Sequence, residues 1–232
     1  LRDGHWRIWA RSLDGSPVRR LSPDEPGRDH VAVHIAPDGR HLVYLSLPAP
    51  HLDFSPLPPG QAAPLHLVRL EGDRVVEDRI LAPDARPYDG SRVALWISAS
   101  ALIYIAGDNT TRQIDIVTGA EEILIPDPKT RYGLLVNATR THATNGMPTF
   151  SVFHPADGTV SRRTRLPGCE PYFTPDGRHG YWVADVGGPI RRLDLSDYTT
   201  AVVLDRDARW LPKGHGYLYY PMLSADQRLL AF

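Results

Sequence analysis

Ten histidines stand in this chain of 232 residues, and two of them lie four apart in the run His30-Val31-Ala32-Val33-His34-Ile35. On a helix, two imidazoles at that spacing can grip one ion. This run is rich in Val and Ile and reads as a strand. There the same spacing puts His30 and His34 on one face, about 13 Å apart. They cannot chelate one ion, although each can join a ring of groups drawn from separate strands. Polar, ligand-contacting histidines are the expectation, with no metal and no cofactor.

Other groups point to chemistry less directly. Asp29, Glu170 and Asp185 are the carboxylates open to acid–base work, which in glycoside cleavage needs two of them at a defined separation. Asp38 and Asp176 are accounted for by turns. No phosphate-cradling Gly-rich loop, HExxH or GxSxG is present, so no catalytic residue is assigned. Aromatics gather late, at Tyr172, Tyr181, Trp182, Trp210, Tyr217, Tyr219 and Tyr220, with His215 in Gly214-His215-Gly216-Tyr217. Such rings can face a sugar or peptide, but packing between sheets is the preferred reading. Arg19-Arg20, Arg162-Arg163 and Arg191-Arg192 read as equivalent pairs that either meet an acidic partner or protect outer strands. Asn137-Ala138-Thr139 matches a glycosylation acceptor.

The elements that must position these groups are short strands. With 22 Pro, 19 Gly and two Met, the chain suits many strands and tight turns rather than a helical bundle. A formal charge of −1 argues against a nucleic-acid binder that relies on phosphate neutralisation. The single Cys169 rules out an internal disulfide and a CxxC metal site, and is expected as a buried thiol. No apolar run approaches the roughly 18 residues of a membrane span. Starting at Leu1 and stopping within a strand at Phe232, the chain is expected to be a mature or excised piece, which leaves its compartment open.

One hairpin organises the rest. His30 to Ile35, the turn Ala36-Pro37-Asp38-Gly39-Arg40, and Leu42-Val43-Tyr44-Leu45 return as Glu170 to Phe173, Thr174-Pro175-Asp176-Gly177-Arg178 and Tyr181-Trp182-Val183. A third copy runs Tyr219-Tyr220-Pro221-Met222-Leu223-Ser224-Ala225-Asp226-Gln227-Arg228-Leu229-Leu230-Ala231-Phe232. Pro sets φ, Asp closes the turn and Gly supplies the positive φ. Divergent copies start near residues 92 and 132, the first with Ser98-Ala99-Ser100 as its turn. A spacing of about 46 residues is that of a four-stranded propeller blade. The expectation is an all-β chain, one domain over 1–232: a β-propeller of five four-stranded antiparallel blades, its termini sharing one blade, or a fragment of a larger ring. The Pro-rich stretch Pro48–Pro64 reads as a long loop.

These hairpins, with outer strands such as Asp14-Gly15-Ser16-Pro17-Val18-Arg19-Arg20-Leu21, resemble the repeats of TolB-like propellers. The resemblance implies a non-catalytic module that binds a protein or peptide at the mouth of the central channel, in a periplasmic or secreted setting. The alternative is a propeller-type carbohydrate-active enzyme, a metal-assisted lyase or a hydrolase acting on an acidic polysaccharide. Strand ends converge on a propeller's axis, so His30, Glu170 and His215, with His34 and Tyr172 deeper, are expected to line one ligand-binding pocket.

Overall fold

The structure, a computed structural model, describes residues 4–11, 17–50, 62–87, 93–127, 134–145, 148–185, 188–205, 222–223, 228 and 230–231. By its internal contacts the chain divides into two compact units, Leu1–Glu122 and Ile123–Phe232. Among the described residues there is no helix, and hence none long and apolar enough to cross a membrane.

In the first unit β1 (Trp9–Ala10) pairs with β2 (Arg19–Arg20). Four strands follow in sequence order: β3 (Arg28–Ile35), β4 (His41–Pro48), β5 (Ala63–Glu71) and β6 (Arg74–Arg86). Each is antiparallel to the next. The same arrangement repeats in β7 (Ala94–Trp96), β8 (Ala101–Ala106), β9 (Thr111–Asp115) and β10 (Glu121–Ile125), whose end crosses the boundary between the units. Two pairs, Ala85 with Ala106 and Arg86 with Ile105, join β6 to β8.

The second unit holds two more such sheets. One is β11 (Leu135–Val136), β12 (His142–Thr144), β13 (Thr149–His154) and β14 (Thr159–Arg165). The other is β15 (Cys169–Phe173), β16 (His179–Val183), β17 (Ile190–Asp194) and β18 (Thr200–Leu204). A last pair joins β19 (Met222–Leu223) to β20 (Leu230–Ala231). Consecutive four-stranded antiparallel sheets of this kind are propeller blades, as the repeat predicted. The expected meeting of the termini involves residues 1–3, 206–221 and 224–227, which lie outside the described residues.

The turn chemistry is the predicted one. The amide of Ala36 donates to the His41 carbonyl at 2.8 Å and that of Gly39, at φ 67°, to the Ala36 carbonyl at 3.0 Å. Thr174 and His179 repeat the first bond, and Gly177 and Thr174 the second, with Gly177 at φ 68°. Where Pro-Asp-Gly is missing, the side chain of Asn137 substitutes. Its Oδ1 accepts from the amides of Thr141 and His142 at 2.8 and 2.9 Å, and Arg140 takes the glycine's place at φ 54°. A second bond ties each outer hairpin to the inner turn. Leu70, Ile116, Phe153 and Leu195 donate from the backbone to the carbonyls of Arg40, Ser100, Thr141 and Arg178.

Strands β4 and β8 are buried on both faces, which explains their lack of polar alternation. Val43, Leu45, Leu65, Leu102 and Tyr104 belong to one apolar cluster of the first unit. The opposite face of β4 carries Leu42 and Tyr44 against Ile8, Leu21 and Val68. In the second unit the Phe150 ring meets Phe173 and Trp182 edge-on, with centroids 5.8 and 6.4 Å apart. Each such fully buried ring contributes about 1.5–3 kcal/mol. The arginine pairs are not equivalent. Arg162-Arg163 lies on the outermost strand β14, whereas Arg191-Arg192 lies on β17, third in its blade.

Candidate functional site

The first strand of the first blade does not run straight. His30 pairs with Ser46 and Val31 with Leu45, but His34 pairs with Val43, so β3 carries one extra residue at a bulge. Ala32 sits there at φ 56°. The bulge reverses the alternation of side chains beyond it. His30 therefore shares a face with Ser46 and Tyr44, and His34 shares the opposite face with Val43. This corrects the expectation that the two rings lie on one face. An undetected extra residue changes the parity of every position after it.

Strand β15 repeats the device. Cys169 pairs with Val183 and Tyr172 with Tyr181, and Glu170, at φ 57°, occupies the place of Ala32. A non-glycine residue in the left-handed region costs about 1–3 kcal/mol and persists only where its surroundings fix it. Both bulges stand six residues before the turn aspartate, Asp38 or Asp176. Glu170 is buried and Tyr172 half-buried. Cys169, expected to be buried, is half-buried at the start of β15.

His30 lies, itself buried, at the centre of a partly buried polar group. Its Nε2 is 3.3 Å from Glu25 Oε2, and its ring centroid is 4.9 Å from that of Tyr44. The Tyr44 ring in turn stacks on His66 at 4.8 Å. Asp78 closes the group, its carboxylate accepting from Tyr44 Oη at 2.8 Å and from His66 Nδ1 at 2.8 Å. Burial drives the His30 pKa down, helped by the Arg7 guanidinium and opposed by Glu25. Burial also raises the Tyr44 pKa, and the Asp78 carboxylate adds to the rise. His30 Nδ1 is buried with no hydrogen-bond partner. A neutral imidazole with an unprotonated Nδ1 leaves a weak acceptor unpaired there, which costs less than stranding an N–H.

The backbone around His30 binds the N-terminal segment. Its amide donates to the Trp6 carbonyl at 3.0 Å. Asp29 Oδ1 accepts from the Trp6 amide at 2.9 Å and lies 3.3 Å from His5 Nδ1. Arg7 reaches the carbonyls of Arg28 and Glu25 at 2.6 and 2.9 Å. Asp29, a candidate acid–base group in the sequence, thus has a structural task. His34 is buried and its carbonyl accepts from Trp96 Nε1 at 3.4 Å.

Of the residues expected to share a pocket, His30 and His34 belong to the first unit and Glu170 and Tyr172 to the second. His215 lies outside the described residues. The Pro48–Pro64 loop lies mostly outside them as well, between the end of β4 and the start of β5.

A cavity of about 450 Å³ opens elsewhere on the first blade, lined by Arg40, His41, Arg69, Leu70, Glu71 and Gly72. The inner turn and the outer turn of the blade frame it from one end. The sequence places Arg40 in the inner turn, Arg69 at the end of a strand and Glu71 in the next turn, with no ligand role expected for any of them. The signal lay in their placement, since both turns of a four-stranded meander fall at the same end of the blade.

No family model matches the sequence, and no curated protein matches it. Solved structures do. A puromycin hydrolase structure is 21% identical over 83% of this chain and 32% of its own, with a TM-score of 0.55. A structure from a study of two prolyl endopeptidases is 16% identical over 86% of this chain and 31% of its own, at 0.54. A structure of the nidogen/laminin complex is 15% identical over 84% of this chain and 70% of that one, at 0.51. The chain spans about a third of the length of the two hydrolytic enzymes. At these identities the likeness shows the fold, a propeller-type all-β architecture.

Proposed function

We propose that this chain is a non-catalytic, TolB-like propeller module that recognises a protein or peptide at the mouth of its central channel. His30, His34, Glu170, Tyr172 and His215 border that mouth in this reading. The observation that carries it is the later part of strand β3, which lies at the edge of its sheet beyond the His30 amide that the Trp6 carbonyl occupies. It leaves Val33 and Ile35 exposed, Ile35 to 64%. An edge strand with exposed apolar side chains suits polypeptide, which supplies both main-chain bonds and side chains to fill the steps between them. Acidic residues nearby already serve the fold: Asp29 holds the N-terminal segment, Asp38 its turn, and Asp78 the Tyr44–His66 pair. Among the structural neighbours, the nidogen/laminin structure is itself a complex between proteins.

The test is a photo-crosslinking residue in place of Ile35, with the chain exposed to a native extract. Protein adducts at that position, competed by unlabelled chain and weakened by Val33→Asp, are expected. Finding no protein adduct, while a glycan array binds the chain, rejects the reading.

A further inference from the structure

We propose that the cavity framed by Arg40, His41, Arg69, Leu70, Glu71 and Gly72 is a binding site for a carboxylate borne by a polypeptide, with Arg40 as its anchor. The proposal takes its kind of ligand from the polypeptide-binding reading above, but its location is independent of the channel mouth.

Charge pairing is the first observation. Arg69 is held by Glu71 Oε1 at 2.8 Å and by Glu77 Oε2 at 3.3 Å. Arg74 Nη2 lies 3.6 Å from the second Glu71 oxygen. His41 Nδ1 is 2.8 Å from Asp38 Oδ2. Of the charged groups lining the cavity, Arg40 is the exception. Among the described residues its guanidinium has no ion pair or hydrogen bond, while its carbonyl is fixed by the Leu70 amide at 2.7 Å. A rigid backbone therefore presents an uncompensated cation at the cavity wall.

The second observation is that the fold does not need this side chain. The bond from the outer hairpin uses only a carbonyl, and the next blade supplies it from Ser100. The guanidinium is surplus to that task. A planar fork of donors fits a carboxylate in bidentate fashion.

Cavity size decides what carries the carboxylate. About 450 Å³ lies within the range of ligand-binding clefts and is much larger than a bare anion requires. Leu70 offers an aliphatic wall beside the charge. None of the six lining residues is Phe, Tyr or Trp, the side chains on which a sugar face would lie. A Glu or Asp flanked by an aliphatic residue, or the carboxylate at a chain's end, fits these surroundings.

The test follows backbone amide resonances of the whole chain during titration with four probes. These are acetyl-Gly-Leu-Glu-Gly-amide, its Gln counterpart, acetyl-Gly-Gly-Leu with a free C-terminus, and trigalacturonate. Saturable shifts at Leu70, Glu71 and Gly72 are expected with the Glu peptide. Replacing Glu by Gln, or Arg40 by Gln in the protein, should weaken binding about tenfold or more, equivalent to about 1.4 kcal/mol. Binding of the free C-terminal peptide that matches the Glu peptide also supports the site and points to chain ends as the source. Absence of saturable shifts there, equal binding by Glu and Gln peptides, indifference to Arg40→Gln, or shifts with trigalacturonate alone would each overturn the proposal. Arg40 is exposed, so Arg40→Gln should fold, and an unchanged amide map outside the cavity checks this. A partner captured at Ile35 and insensitive to Arg40→Gln would sink this site and leave the functional reading intact. Peptide binding here without any captured protein would do the reverse.

Discussion

Gly180 lacks a side chain because the ring of Phe150 occupies the space one would need. A Cβ there would stand 2.4 Å from Phe150 Cε1 and 2.7 Å from Cζ. Gly180 is in β16 and takes the place that Leu42 and Leu102 fill in the first two blades. Here the adjoining blade supplies the large residue instead. Gly180→Ala should destabilise the chain by about 1–3 kcal/mol through overpacking, read as a lower urea midpoint. Phe150→Leu in the same chain should restore part of that loss. An unchanged midpoint for Gly180→Ala would show that the ring moves aside without penalty.

Asn137 is the second fixed point of that unit. Fully buried, it accepts two backbone amides through Oδ1, and Nδ2 donates to the Gly177 carbonyl at 2.7 Å. It thereby closes its own turn and grips the turn of the next blade. Asn137→Ala leaves several buried groups unpaired and should lower stability by at least about 2 kcal/mol. The same burial leaves no room for a glycan on Asn137 in the folded chain. An intact mass raised by a glycan on Asn137 would contradict this placement.

The sequence made the repeat legible because Pro-Asp-Gly and β-branched runs impose local geometry on their own. It did not show the bulges at Ala32 and Glu170, since neither position carries the glycine that usually signals a positive φ. Tyr198, at φ 64°, hides the same way. Its amide donates to the Asp194 carbonyl as Gly119 donates to Asp115. There the ring is held from two sides, by Arg162 4.5 Å from its centroid and by His142 Nε2 at 3.1 Å from the hydroxyl. Tertiary contacts outweigh local preference at these positions. The polar group around His30 was invisible for the same reason: Glu25, Tyr44, His66 and Asp78 come from a loop and three strands, and only pairing brings them together.

Tyr44 and Tyr104 occupy the same position in successive blades and solve the same problem. Each is buried with its hydroxyl on a carboxylate of its blade's last strand, Tyr44 on Asp78 at 2.8 Å and Tyr104 on Glu121 at 2.5 Å. Burial and the adjacent carboxylate push both phenol pKa values up. Tyr44→Phe and Tyr104→Phe should each cost about 1.5–3 kcal/mol, the range for a bond to a charged group. Thermal melts at pH 7 would read this, and Asp78→Asn should shrink the Tyr44→Phe effect because the charge it served is gone. Additive effects of Tyr44→Phe and Asp78→Asn would show that the two groups are not coupled.

The pH dependence should fall in two separate windows. His30 is held below its ordinary value of 6.5 by burial and by Arg7, against the pull of Glu25, with His66 adding to the depression. His142 is lowered by burial and by Arg162. A histidine with a depressed folded pKa binds fewer protons folded than unfolded. Stability is then full above about pH 6.5 and declines as pH falls towards the folded pKa. The turn aspartates act lower. Asp194, bonded by Ser196, and Asp115, bonded by the Thr118 amide, lie below 3.8. Asp38 does too: burial raises it, and the Arg40 amide together with the His41 amide and imidazole outweighs that rise. Their contribution is present above about pH 4 and is lost on further acidification. The melting temperature should therefore drop between about pH 7 and pH 5, and again below about pH 4. His30→Phe keeps a ring against Tyr44 but cannot titrate, so it should shrink the upper window to the His142 share and leave the lower one unchanged. A native chain whose melting temperature is constant or rising from pH 7 to about pH 5 would refute the assignment to buried histidines.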